Sequence, residues 1–183
     1  MTYYGGKELA AAFRTVRDNT LKIAEEIPEN KYDFSAAPDT RSVSQMLTHI
    51  ALGPSFQLHV HTNKIKDMAT INFQELFQEF GAEEAKPRDK AEAIAFLRSE
   101  GQKFASYLET LPESFLAESV AMSHGMTPPA KTRFEMLLSA KEHEMHHRAQ
   151  LMVIQRMIGL VPHLTRQMQE RMAQMQAAQS AQR

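Results

Sequence analysis

Four stretches of this chain carry apolar residues at alternating +4 and +3 spacing, the signature of a helix that buries one stripe. The first runs Leu9, Phe13, Val16, Thr20, Ile23, Ile27, and the second Met46, His49, Gly53, Phe56, Val60. The third runs Ile94, Leu97, Gly101, Phe104, Leu108, Leu111, and the fourth Met136, Ala140, His143, His147, Gln150, Ile154, Met157. Four such stripes can only be covered by one another, so the expected fold is an all-α four-helix bundle. The boundaries are readable too. Pro28 stops the first helix after Ile27, because proline cannot continue the backbone ladder. Ser42-Val43-Ser44-Gln45, Asp89-Lys90-Ala91-Glu92 and Thr132-Arg133-Phe134-Glu135 are N-terminal capping patterns, while Pro112 and Gly159 close the third and fourth helices.

Long connections separate the helices. Residues 28–41 read as a loop in which Tyr32 and Phe34 cover a bundle end. Asn72-Phe73-Gln74-Glu75 caps a short helix with a stripe of Phe73, Leu76, Phe77 and Phe80, expected to end at Gly81. Residues 113–131 suggest a short hairpin around Val120 to Met126. Beyond Pro162, Leu164, Met168, Met172 and Met175 recur at helical spacing in a Gln- and Ala-rich background. The expected organisation is therefore a bundle over 1–162 and a helical extension or tail over 163–183, either loose or strapped to the bundle or a second subunit.

The apolar stripes contain an anomaly. His143 and His147 stand one turn apart on the fourth helix, and His49 occupies an inward position on the second. A buried imidazole costs about 1–3 kcal/mol if left without a partner. Separate private hydrogen bonds would satisfy these rings, and so would one shared divalent ion. Two on one seam favour the ion, and the third strengthens it. Three protein nitrogens with one open position is the arrangement of catalytic rather than structural zinc-type sites. Nitrogen ligands also suit nickel, iron and copper, with zinc or nickel preferred here. Gly53-Pro54 interrupts the second helix beside His49; Pro54 removes a backbone donor and should free the carbonyl near Ile50. His59 and His61, near that helix's C-terminus, are expected at the surface, and His124 in a loop.

Composition narrows the partners. A formal net charge of −1 suggests neither nucleic acid nor an anionic membrane. No apolar run reaches the ~18 residues needed to span a bilayer, and the N-terminal residues lack the apolar core of a signal peptide, so a cytoplasmic protein is expected. With no cysteine in the chain, any ion must be held by histidine, carboxylate or water, and any thiol must come from a substrate.

Leu47-Thr48-His49-Ile50-Ala51, and more strongly Thr132-Arg133 leading into Glu142-His143-Glu144-Met145-His146-His147-Arg148-Ala149-Gln150-Leu151, resemble the DinB-like (YfiT-like) superfamily. The resemblance covers roughly residues 5–162. It implies His49, His143 and His147 as metal ligands completed by water, and an up-down-down-up bundle. It further implies homodimers as a common state, and thiol-dependent transfer or isomerisation as one known activity class. Ala149 departs from the glycine often found there, which tightens the space beside the site without removing a ligand.

Three functions use these features. The first is an enzyme acting on a small molecule, with a low-molecular-weight thiol or water activated at the ion. Glu144 and Gln150 are candidates to orient ligands or move protons, and Arg148 to hold a carboxylate. The second is a non-catalytic, metal-stabilised binding or stress protein. The third is a zinc peptidase, since His143-Glu144-Met145-His146-His147 satisfies His-Glu-x-x-His; its third ligand would have to come from downstream, where Glu170 is the nearest carboxylate.

Overall fold

The computed structural model describes residues 4–181. Helices α1 (Gly6–Glu26), α2 (Val43–Thr62), α4 (Lys90–Glu109) and α6 (Arg133–Met157) form the bundle. Shorter α3 (Phe73–Glu84) and α5 (Glu113–Leu116) lie in the connections, and α7 (His163–Ala181) follows α6. The expected caps are in place: Ser42, Asp89 and Thr132 each accept from the backbone N–H three residues on, and Gln45, Glu92 and Glu135 reach back in return. Each contributes about 1 kcal/mol to fixing where a helix begins.

Polar contacts between helices give their directions. Arg98 meets Glu25 at 3.0 Å and Lys90 donates to the Ile27 carbonyl at 2.8 Å, so α1 and α4 are antiparallel. Arg17 pairs with Glu144, and Gln155 reaches Glu26 at 3.4 Å, so α1 and α6 are parallel. Gln57 meets Ser139 at 3.0 Å while His61 meets Arg133 at 3.1 Å, which makes α2 and α6 antiparallel. Both α1 and α2 pack on α4 and α6, so these two consecutive helices lie on a diagonal. The result is an up-down-down-up bundle. Parallel neighbours α2 and α4 need the long crossover that contains α3.

The core has three storeys. One apolar cluster includes Ile23, Ile27, Leu47, Ile50, Leu97, Leu151 and Ile154. A second includes Leu9, Phe13, Leu58, Phe104, Leu108 and Leu137. Between them lies a polar storey in which Arg17, on α1 between Phe13 and Leu21, meets Glu144, on α6 between Ala140 and Leu151. The histidines sit at this level, so the apolar clusters hold the helix spacing above and below them.

Several expectations need correction. Helix α3 runs through Gly81 to Glu84, because an exposed helical glycine weakens a helix by only about 1 kcal/mol. The hairpin is wider than expected: β1 (Ser119–Ala121) pairs antiparallel with β2 (Ala130–Thr132). On α6 a strict heptad drifts about 20° per repeat from a real 3.6-residue helix. The buried line therefore passes through Ala140, Glu144, His147, Leu151 and Ile154, leaving His143 half-buried, Gln150 exposed and Met157 53% exposed. Helix α7 docks only by its start, where buried His163 donates to Asn19 at 2.9 Å and Arg166 pairs with Glu26 at 2.6 Å; Met168, Met172 and Met175 face outward.

Candidate metal centre

His49, His143 and His147 converge. One ring nitrogen from each lies within 4.8 Å of the others. The Nε2 atoms of His49 and His143 are 3.1 Å apart. Nitrogens bound to one ion at about 2.0–2.1 Å stand about 3–3.4 Å from each other, so this pair already has ligand spacing. Gly53, one turn along α2 from His49, makes the approach possible: a Cβ there would lie 2.8 Å from His143 Nδ1 and 3.0 Å from Cε1. Gly53→Ala should therefore push the His143 ring away. The expected result is weaker Co²⁺ binding by titration, together with little change in thermal unfolding, since alanine adds up to ~1 kcal/mol of helix propensity.

Two of the rings are held from behind. His49 Nδ1–H donates to Glu84 Oε2 at 3.0 Å, and His147 Nδ1–H donates to Gln150 Oε1 at 2.7 Å. These bonds fix the tautomer and leave the Nε2 lone pairs for the cluster, the usual role of a carboxylate or carbonyl behind a metal-binding histidine. Glu84 is itself gripped by Arg41. Burial pushes the Glu84 carboxyl up, but the hydrogen bonds from Arg41 and His49 outweigh it and its pKa ends below the usual range. All three imidazoles are pulled down, chiefly by burial. Neighbouring positive charges add to this, while Glu84 opposes it at His49 and Gln150 at His147; His143, with no such partner, falls to about 4. Neutral rings with free lone pairs are what a divalent ion requires. His143 Nδ1 is buried without a hydrogen-bond partner. Three imidazole nitrogens suit a divalent ion of the zinc, nickel, iron or copper type.

Two cavities flank the cluster. One, about 630 Å³, is lined by His49, His143, Leu52, Phe56, Phe77 and Phe80 among others, with Gln57 and Ser139 also on its wall. The other, about 740 Å³, is lined by His147, Gln150, Asp39, Thr40 and Gln45 among others. The Arg41–Glu84 pair borders both. Met46, Val153 and Ile154 also line the second cavity, so a small molecule can reach the histidines from two largely apolar sides, the second carrying more polar groups.

The three candidate polar residues on α6 fare differently. Gln150 is at the site, behind His147. Glu144 is not: it is fully buried, and its carboxylate is held by Arg17 on α1 at 3.0–3.1 Å. It cannot act as the base of a His-Glu-x-x-His peptidase, and Glu170 lies on the exposed face of α7. Arg148 lines neither cavity and leaves its Nε buried and unpaired. Glu84 and Arg41 carry no sequence signal of their own for a place at the site: Glu84 lies beyond Gly81, where a helix normally ends, and Arg41 sits in a loop. The capping pattern at Asn72 was the one available signal that a helix leads toward Glu84.

His61 also departs from expectation: it is 1% exposed, not at the surface. Arg133 can only donate, so its Nη1–H donates to His61 Nδ1 and the ring must carry its proton on Nε2. That proton goes to Gln57 Oε1 at 3.1 Å, which turns the Gln57 amide nitrogen toward Ser139 at 3.0 Å. Burial, reinforced by the Arg133 charge, pulls the His61 pKa from 6.5 to about 4. A folded value below the unfolded one means that protons favour the unfolded chain. His61's full contribution is present above pH 6.5 and lost as the pH falls toward 4, on the order of 3 kcal/mol by then. Urea unfolding across that window should show a steeper pH dependence in the natural chain than in His61→Asn; equal slopes would refute it.

Comparison with known proteins agrees with this architecture. The family model described as the DinB superfamily matches residues 12–151. YjoA of Bacillus subtilis is 24% identical over 152 residues, covering 83% of this chain and 90% of YjoA. Its crystal structure, described as that of a DinB-like protein, superposes with a TM-score of 0.63 at 22% identity, over 83% of this chain and 92% of that one. YfiT of the same organism, described as "a probable metal-dependent hydrolase with an unusual four-helix bundle topology", superposes with a TM-score of 0.66 at 14% identity, over 87% and 91%. The colibactin self-resistance protein ClbS, solved in complex with a double-stranded DNA, superposes with a TM-score of 0.62 at 15% identity, over 85% and 98%.

Proposed function

The chain belongs to the DinB superfamily, and from that premise we propose that it binds one divalent ion through His49, His143 and His147 and acts on a small molecule in the adjoining cavities. The observation that carries this reading is the convergence of three neutral imidazoles, two of them held from behind by Glu84 and Gln150, at the junction of two cavities. Zinc or nickel suits the donor set, and when bound it would lower the pKa of a coordinated water or deprotonate a thiol. The rest falls to this chain's own side chains. Glu84 and Gln150 hold two rings in the ligating tautomer, and Arg41 neutralises Glu84 while facing both cavities. Phe56, Phe77 and Phe80 line the more apolar side and would receive the hydrocarbon part of a substrate.

Transfer involving a low-molecular-weight thiol, or hydrolysis, is the reaction class we infer. Two separate cavities meeting at the histidines suit a thiol and a second reactant. A partner of nucleic-acid type is less compatible with a net charge of −1, although ClbS carries DNA on the same fold. Residues 1–162 are read as the working bundle and 163–183 as its extension. No helix among the described residues is long and apolar enough to cross a membrane. The test is metal analysis of protein purified without a metal-affinity column, followed by assays with small thiols and electrophiles against His143→Ala. About one ion per chain and an activity absent from the variant support the proposal. Equal rates in both proteins would overturn the catalytic reading, and a metal-bound but inert protein would point to a binding role.

A further inference from the structure

Behind the histidines lies a group that no ligand pattern singles out. Arg17 is 3% exposed, yet it touches all four bundle helices. Its Nε donates to both Glu144 oxygens, at 3.0 and 3.1 Å, and Nη2 lies 3.0 Å from Glu144 Oε2. Nη2 also donates to the Ile50 carbonyl at 3.3 Å, and Nη1 to the Leu97 carbonyl. The Ile50 carbonyl is the one that Pro54, lacking an N–H, cannot engage. On α4, Gly101 makes the room: a Cβ there would lie 2.7 Å from Nη1 and 2.9 Å from Cγ of Arg17. Proline and glycine, each unfavourable in mid-helix, are thus both accounted for by one guanidinium.

The partners are adjacent in sequence to the histidines. Ile50 follows His49, Glu144 follows His143, and His147 comes one turn after His143. We propose that Arg17 is a positioning residue for the metal centre: by tying the Ile50 carbonyl of α2 to the Glu144 carboxylate of α6, each next in sequence to a ring-bearing residue, it sets the distance between His49 and the His143–His147 pair. This inference rests on the three-histidine reading of the site. A plain structural ion pair would stabilise the fold without affecting the ligand spacing, and the two roles separate experimentally. Replacing a buried ion pair by apolar residues of similar volume is often neutral or stabilising, so the fold can survive while the spacing device is lost.

The experiment compares the natural chain with Arg17→Met/Glu144→Met and with Arg17→Lys, which keeps the charge but not the planar fork. Each is titrated with Co²⁺ alone, reading the dissociation constant and the visible absorption spectrum. Far-UV circular dichroism and thermal unfolding without metal establish that each variant is folded. The double variant should unfold near the natural temperature yet bind Co²⁺ about 10–100-fold more weakly, with an altered spectrum, as changes behind metal ligands do. Arg17→Lys should also weaken binding, and it decides the matter if the double variant does not fold. Folded variants with natural affinity and spectrum would overturn the positioning role while leaving the metal site intact. A natural chain that takes up no Co²⁺ would overturn both.

Discussion

Glu144→Ala is expected to lower the unfolding free energy by about 3–5 kcal/mol, because it strands the Arg17 charge in a dry core. Arg17 is 3% exposed, its stem lies against Gly101, and its remaining partners are the neutral carbonyls of Ile50 and Leu97 and the face of the Phe13 ring, 5.1 Å away. Two carbonyl hydrogen bonds do not offset a lost carboxylate. For a chain of this length each kcal/mol moves the thermal midpoint by about 2–4 °C, so a fall of roughly 10 °C is the expected reading. Calorimetry or urea unfolding checks it. A loss below about 1 kcal/mol, typical of exposed ion pairs, would mean that the pair is solvated in solution. The Arg98–Glu25 pair should show that smaller loss, since both its side chains are more than half exposed.

His49→Ala should act through the ion rather than through the fold. Its side chain is 25% exposed, so removing it leaves no large buried cavity, and the apolar clusters above and below are untouched. Metal affinity should fall by more than the about 100-fold typical of a change behind a ligand, because a direct ligand is lost. The clearest readout is the stabilisation conferred by added Zn²⁺. Ligand binding to the folded state adds about 4 kcal/mol at a thousandfold excess over Kd, and this gain should be largely abolished in His49→Ala. Glu84→Gln should lie between the two, since an amide still accepts from His49 Nδ1 without the charge. A full Zn²⁺-induced shift in His49→Ala would mean that His49 is not a ligand.

These effects differ in how readable they were from sequence. The bundle was legible because its helices bury stripes at helical spacing and begin at capping patterns, both strictly local properties. The three histidines were legible for the same reason: an imidazole inside an apolar stripe is conspicuous. Glu144 was not legible in its actual role. The strict heptad placed it beside the buried line, and only the drift of a 3.6-residue helix brings it onto that line, facing α1. Arg17 was hidden because nothing local distinguishes it from Arg14, which stays at the surface in a pair with Glu109. Its partners come from three other helices. Pro54 and Gly101 were visible as oddities, and the carbonyl expected near Ile50 is indeed taken, but only the tertiary structure reveals by what. Glu84 and Arg41 approach His49 through the crossover and a loop, whose paths no periodicity encodes. His61 looked like a residue at an exposed helix end. It is covered instead by Arg133 at the start of α6 and by the Phe115 ring of α5, 6.3 Å away, neither of which helical spacing on α2 reveals.

The most direct test of the three-histidine centre is a crystal structure of protein soaked with Zn²⁺, with anomalous data at the zinc edge. One strong peak is expected, about 2.0–2.1 Å from a ring nitrogen of each of His49, His143 and His147, with Glu84 and Gln150 still bonded to the outer nitrogens of His49 and His147. No peak among these rings, or an ion held by other residues, would contradict it.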